Sequence, residues 1–196
     1  MNAYFTTQDE NSHKIYDFAI PDAWWSRLYE YVWAQRMIMP GQVVVDAGAG
    51  PNYPLQYVLA ETCKVYSIDI SPDILNSKPH PNITHMVAGI ENIPLPDNSV
   101  DTVYCISVLE HLTRGNAEQG LKEFKRILKP GGRAVITLDA SLYGDTRYTW
   151  ARDPDTFFKA LPAGMNYSAY EKTMPDNAIK ETTCGLTCYH AVLYKE

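Results

Sequence analysis

Two acids and a glycine turn carry the clearest chemistry in this sequence. Asp46 is followed by Ala47-Gly48-Ala49-Gly50-Pro51-Asn52, and Asp69 stands 19 residues beyond Gly50 at the end of the next apolar run. The glycines let the backbone approach a ligand, and a helix start after the turn favours a negative group. A carboxylate in the register of Asp69 is placed to bind both hydroxyls of a ribose. The dinucleotide fingerprint needs a third glycine where Tyr53 stands, so the pyrophosphate-binding version is broken. Asp46 would repel a pyrophosphate, yet it suits the ammonium group of an amino acid.

The surrounding pattern supplies elements to position these groups. Asp22 to Met39 reads as an amphipathic helix capped by Asp22 and stopped by Pro40-Gly41. Strands are expected at 43–46, 64–69, 83–88, 101–107 and 133–138, with helical character at 53–61, a helix start at Ser71-Pro72 and a helix over 116–128 ended by Pro130-Gly131-Gly132. Strand and helix alternate, and the strands are near-continuous apolar runs. That is the pattern of a mainly parallel sheet covered on both faces. Beyond Asp139, a helix at 153–161 and a closing strand at 185–194 are expected.

The chain has 196 residues, 45% of them hydrophobic and 20% charged, which suits one domain with one core. Its net charge of −6, with dispersed Lys and Arg, gives no footprint for nucleic acid or an anionic membrane. The N-terminus has no signal-peptide pattern and no apolar run is long enough to cross a bilayer. The four cysteines lack scaffold spacing, so reduced thiols and a cytoplasmic location are expected.

Four stretches, Val43-Val44-Val45-Asp46-Ala47-Gly48-Ala49-Gly50, Val65-Tyr66-Ser67-Ile68-Asp69-Ile70-Ser71, the run from Glu91 to Asp101, and Leu128-Lys129-Pro130-Gly131-Gly132, resemble the class I S-adenosylmethionine-dependent methyltransferases in order and spacing. The likeness is to the small-molecule branch called methyltransferase type 11 and covers about residues 41 to 139. It implies an α/β, Rossmann-like, mainly parallel seven-stranded sheet with helices on both faces and an antiparallel C-terminal edge. It divides one domain into a helical lid (1–40), a cofactor core (41–139) and an acceptor-side tail (140–196).

By position, the resemblance sets Asp46, Gly48 and Gly50 around the methionine part of S-adenosyl-L-methionine and Asp69 on the ribose. Ile70 packs on the adenine, the Gly89-Ile90 backbone meets its edge, and Cys105 lies near the sulfonium. Two departures stand out. Asn52 replaces the loop's third glycine and is expected to offer its amide to the ligand. Gly89 stands where the family commonly has an acid for the adenine amino group, which implies looser adenine recognition.

Methyl transfer to a hydroxyl needs a base past the ends of strands four and five. His111 is preferred, since its ordinary pKa is near neutrality, and the bland alternative is a helix-start pair with Glu110. Asp139, Tyr143, Asp145, Arg147 and Tyr148 follow strand five, and Asp139 or Asp145 suits a polar acceptor. Tyr16 or Trp25 is a candidate lid contact. Cys184, Cys188 and His190 share one strand face without a fourth ligand, so no metal is expected. The expected function is O- or N-methylation of a small acceptor, without nucleic acid or membrane as partner, and the oligomeric state stays open. The alternative is a non-catalytic cofactor-binding scaffold.

Overall fold

The computed structural model describes residues 3–8, 11–143, 149–151 and 153–196. Seven strands, β1 (Ala3–Phe5), β2 (Val43–Ala47), β3 (Lys64–Asp69), β4 (Ile83–Val87), β5 (Val100–Ile106), β6 (Leu128–Ser141) and β7 (Leu186–Lys195), lie in the order β1-β7-β6-β5-β2-β3-β4. The five from β2 to β6 are mutually parallel, as expected for strands buried on both faces. β7 runs antiparallel to β6. The two-residue strands Met165–Asn166 and Lys180–Glu181 also pair with β7, so the sheet counts nine strands among the described residues rather than seven.

The edge itself differs from the expectation. It comes from the N-terminus: β1 pairs antiparallel with β7, Ala3 opposite Ala191, and covers hydrogen-bonding groups that a C-terminal edge would leave open. Residues 1–40 therefore contribute a sheet strand and a small hairpin, Lys14–Ile15 with Phe18–Ala19, beside their helix. That helix, α1 (Arg27–Arg36), starts after Ser26, five residues beyond the expected start; the Ser26 hydroxyl donates to Glu30 and makes no side-chain cap.

Side chains alternate between the two faces of each strand. Val44, Val65, Tyr104 and Val135 pack under α1 and α2 (Pro54–Ala60), together with Trp33, Ala34, Leu55 and Leu59. Val45, Val103, Cys105 and Ile136 face α3 (Arg114–Ile127), whose Leu121, Phe124 and Ile127 are fully buried. Each of those three side chains contributes about 1.5–3 kcal/mol by leaving water. Thr113 caps α3 by accepting the Asn116 N–H, so the helix begins at Arg114, two residues ahead of the expected start. β6 begins directly after α3, so Pro130-Gly131-Gly132 lies within it, where the pairing with β5 shifts register. The short helix α4 (Pro154–Phe158) is capped by Asp153.

The chain leaves β2 for β3 and β4 on one side, then returns to β5 and β6 on the other. The reversal opens a crevice at the C-terminal end of β2, where ligands bind in open α/β sheets.

Candidate functional site

A cavity of 490 Å³ occupies this crevice. The glycine turn forms one wall and is fixed by its backbone: the Gly48 and Ala49 amides donate to Ile68 O at 2.8 and 2.9 Å. Gln56 donates to Gly50 O from within the core, and the Gly50 amide donates to Asp69 Oδ2 at 2.9 Å. Gly48 has φ +75°, and a Cβ there would come within 2.5 Å of Val108, so neither backbone nor space admits a larger residue. Asp69 also accepts the Ser71 amide through Oδ1 and lines the cavity.

Asp46 lines the cavity at 4% exposure. Burial, and secondarily the charge of Asp69, pushes its carboxyl up to about 7. Arg27 and Tyr31 of α1 reach the same cavity, and both were missed from sequence. Arg27 donates to Glu30 Oε2 at 2.6 Å and to Ser107 O at 3.2 Å. Glu30 is fully buried, and burial alone would raise its pKa. Arg27 and hydroxyl donors from Thr137 and Ser107 instead hold it down to about 2. Cys188 adds a thiol donor to the same carboxylate. A fixed anion thus holds a cation at the cavity wall.

The other expected residues divide. Gly50, Ile70, Gly89, Ile90 and His111 line the cavity, with Ile70 74% exposed. His111 is exposed at the wall; partial desolvation of its ring, then Arg27, lowers its pKa, which leaves a neutral imidazole able to accept a proton. Cys105 does not reach the cavity. It lies on the α3 face of β5, fully buried in the core, while the neighbouring Ile106 and Ser107 form the wall. The Asn52 amide is engaged by Ser77 Oγ at 3.0 Å, its side-chain oxygen accepts from Tyr57 and the Lys78 amide, and the residue does not line the cavity.

Asp139 lies behind the cavity wall and not on it. It is buried beside Glu110, its Oδ1 lacks a hydrogen-bond partner among the described residues, and burial with the charge of Glu30 raises its carboxyl to about 7. Glu110 is raised well above the usual range by burial and by Asp139, so the pair holds protons in the interior. Tyr143 is exposed away from the cavity, Tyr16 stacks on Tyr57, and Trp25 is absent from the wall. Asp145, Arg147 and Tyr148 lie outside the described residues. His190 stacks on Trp33 at 4.2 Å. Among the described residues, no group of three or more His, Cys, Asp or Glu side chains could hold a metal ion, and no helix is long and apolar enough to cross a membrane.

Glu91 is a further wall residue that sequence reading passed over. Its carboxylate stands over Gly89, 2.5 Å from where a Cβ on that residue would be.

Comparison with known proteins gives a family likeness and a shared fold. Residues 45–136 match the family model Methyltransf_11, described as a methyltransferase domain. The tRNA U34 carboxymethyltransferase of Campylobacter curvus (strain 525.92) is 28% identical over 156 residues, covering 76% of this chain and 51% of that protein. The demethylmenaquinone methyltransferase of Tropheryma whipplei (strain Twist) is 33% identical over 104 residues, covering 50% of this chain and 42% of the other. The chain thus spans about half the length of these relatives, or less. The crystal structure of an S-adenosylmethionine dependent methyltransferase from Mesorhizobium loti shares the fold, with TM-score 0.66 at 18% identity, over 85% of this chain and 98% of that one.

Proposed function

We propose that this chain, whose residues 45–136 match a methyltransferase-domain family model and which shares its fold with an S-adenosylmethionine dependent methyltransferase, binds S-adenosylmethionine in the 490 Å³ cavity and methylates a small-molecule acceptor. One observation carries the reading: Asp46, the Gly48–Gly50 turn and Asp69 meet in one cavity at the reversal of strand order. The residues fit the cofactor's charges. Asp46 is a buried carboxyl with no ion pair among the described residues, suited to an ammonium group. Arg27, held by Glu30, suits a carboxylate. Asp69 keeps lone pairs for two hydroxyls beside the amides that it already accepts.

When bound, the cofactor supplies a methyl carbon on a positive sulfur, open to in-line attack by a nucleophile. The chain's contribution is to hold the acceptor in line, worth up to about 7–11 kcal/mol of barrier, and to exclude water. His111 is the proton acceptor if the nucleophile is a hydroxyl, because its lowered pKa keeps it unprotonated at neutral pH. Asp139, behind the wall, is assigned a part in shaping the acceptor side and not direct contact.

A small acceptor is supported by the net charge of −6. In the basic run 122–129, two of the four cations are paired internally, Arg126 with Glu123 and Asp97 and Lys129 with Asp101. A second reading, an RNA acceptor, is favoured by the likeness to the Campylobacter curvus protein, whose name specifies tRNA. The test is incorporation of a labelled methyl group into a fractionated cell extract. Label in the low-mass fraction supports the small acceptor, and label in RNA replaces it with the second reading. Cofactor binding without label in any fraction favours a non-catalytic scaffold.

A further inference from the structure

We propose that the Glu91 carboxylate receives the exocyclic amino group of the cofactor's adenine, replacing an acid at position 89. The proposal rests on the cofactor reading above and names the residue that selects the base. From Asp69 the cavity runs past Ile70 to Ala88, Gly89, Ile90 and Glu91. A base attached to a ribose at Asp69 lies along that stretch. Its amino group carries two N–H donors, and burying them without acceptors is costly.

Three carboxylates line the cavity: Asp46, Asp69 and Glu91. Asp46 lies under the glycine turn, at the far end from the base. Asp69 is engaged by the Gly50 and Ser71 amides. Among the described residues, no hydrogen bond or ion pair engages the Glu91 carboxylate.

The Glu91 carboxylate, in the rotamer observed, occupies the space beside Gly89. The φ of Gly89 lies outside the left-handed region, so the backbone does not demand a glycine. A Cβ there would meet Glu91 Oε1 at 2.5 Å and Oε2 at 2.6 Å. The Glu91 oxygens therefore fill the room that an aspartate at 89 would use for its own. An acid at 89 and an acid at 91 are alternative ways to put a carboxylate at one point.

The local backbone sets where Glu91 leaves the chain. The Asn92 amide closes a turn onto Gly89 O at 3.1 Å, folding residue 91 back over residue 89. Beyond it, the Ile93 amide donates to Glu123, and Arg126 donates to the carbonyls of Ile93 and Leu95. Ile90 is clamped from below, where a Cβ on Gly120 of α3 would come within 2.8 Å of its Cδ1.

The experiment is calorimetric titration with S-adenosylhomocysteine and with S-inosylhomocysteine, in which the amino group is replaced by an oxo group. The wild-type chain should prefer the adenosyl compound by about tenfold or more, since the oxo group faces a carboxylate. Glu91→Ala should bring the two affinities within about twofold of each other, and Gly89→Asp combined with Glu91→Ala should restore the preference. An undiminished preference in Glu91→Ala overturns the proposal. So does failure of the double variant to recover it while still binding. Absence of wild-type binding to either compound refutes the cofactor reading instead.

Discussion

Asp46 is buried at 4% exposure, and its carboxyl is raised to about 7, first by burial and then by Asp69. An ammonium group in the cavity binds the ionised form, so apparent affinity follows the ionised fraction. With a pKa of about 7, that fraction falls from about nine-tenths at pH 8 to about one-tenth at pH 6. Binding of S-adenosylhomocysteine should therefore weaken about tenfold across that interval, or about 1.4 kcal/mol. At pH 6 close to one proton should leave per ligand bound, read as a dependence of binding heat on the ionisation enthalpy of the buffer. Asp46→Asn should bind weakly and lose the pH dependence.

Stability runs the opposite way. Below the ordinary aspartate pKa, both folded and unfolded forms carry the proton. Between that value and about 7 only the folded form does, so raising the pH favours unfolding. The cost reaches the order of 4 kcal/mol above pH 7, and Asp46→Asn should relieve part of it as a higher Tm without ligand. An affinity that is flat from pH 6 to 8, or an Asp46→Asn variant that keeps the wild-type profile, refutes the assignment.

Three further perturbations probe the rest of the wall. His111→Ala should leave the cofactor Kd within about twofold and slow methylation of a hydroxyl acceptor by about 10²–10⁴, measured by single-turnover transfer. Arg27→Met strands the Glu30 carboxylate among neutral donors, so chemical denaturation should show about 3–5 kcal/mol lost, with Glu30→Gln recovering a part in that background. An additive double variant would contradict the pairing. Gly48→Ala sets a Cβ at φ +75° within 2.5 Å of Val108 and should cost about 1–3 kcal/mol, read as a fall in Tm.

The parts of this molecule legible in its sequence are those decided locally. Strands β2 to β6 declare themselves because burial on both faces demands apolar, β-branched runs, and Gly48, Gly50 and Asp69 are legible because strand, turn and acid are neighbours in the chain. The edge strand β1 is three residues long and finds its partner at Tyr189–Ala191, a pairing that no local pattern announces. The start of α1 misleads because Asp22 resembles a cap, while the Ser26 side chain serves the buried Glu30.

Placement of site residues follows the same division. Cys105 was misplaced by one strand position: parity turns it to α3, and its neighbour Ile106 forms the wall. Arg27 belongs to a helix whose docking on the sheet is tertiary. The signal for Glu91 was present as an acid two residues after an unexpected glycine, but only the turn closed by Asn92 shows the two positions competing for one space.

The central claim is most directly tested by calorimetric titration of the purified chain with S-adenosylmethionine and S-adenosylhomocysteine, beside an Asp69→Ala variant. The account predicts one site for each ligand in the micromolar range, weakened about tenfold or more in the variant, which loses the ribose acceptor. Absence of binding by the wild-type chain, or equal affinity in Asp69→Ala, would contradict it.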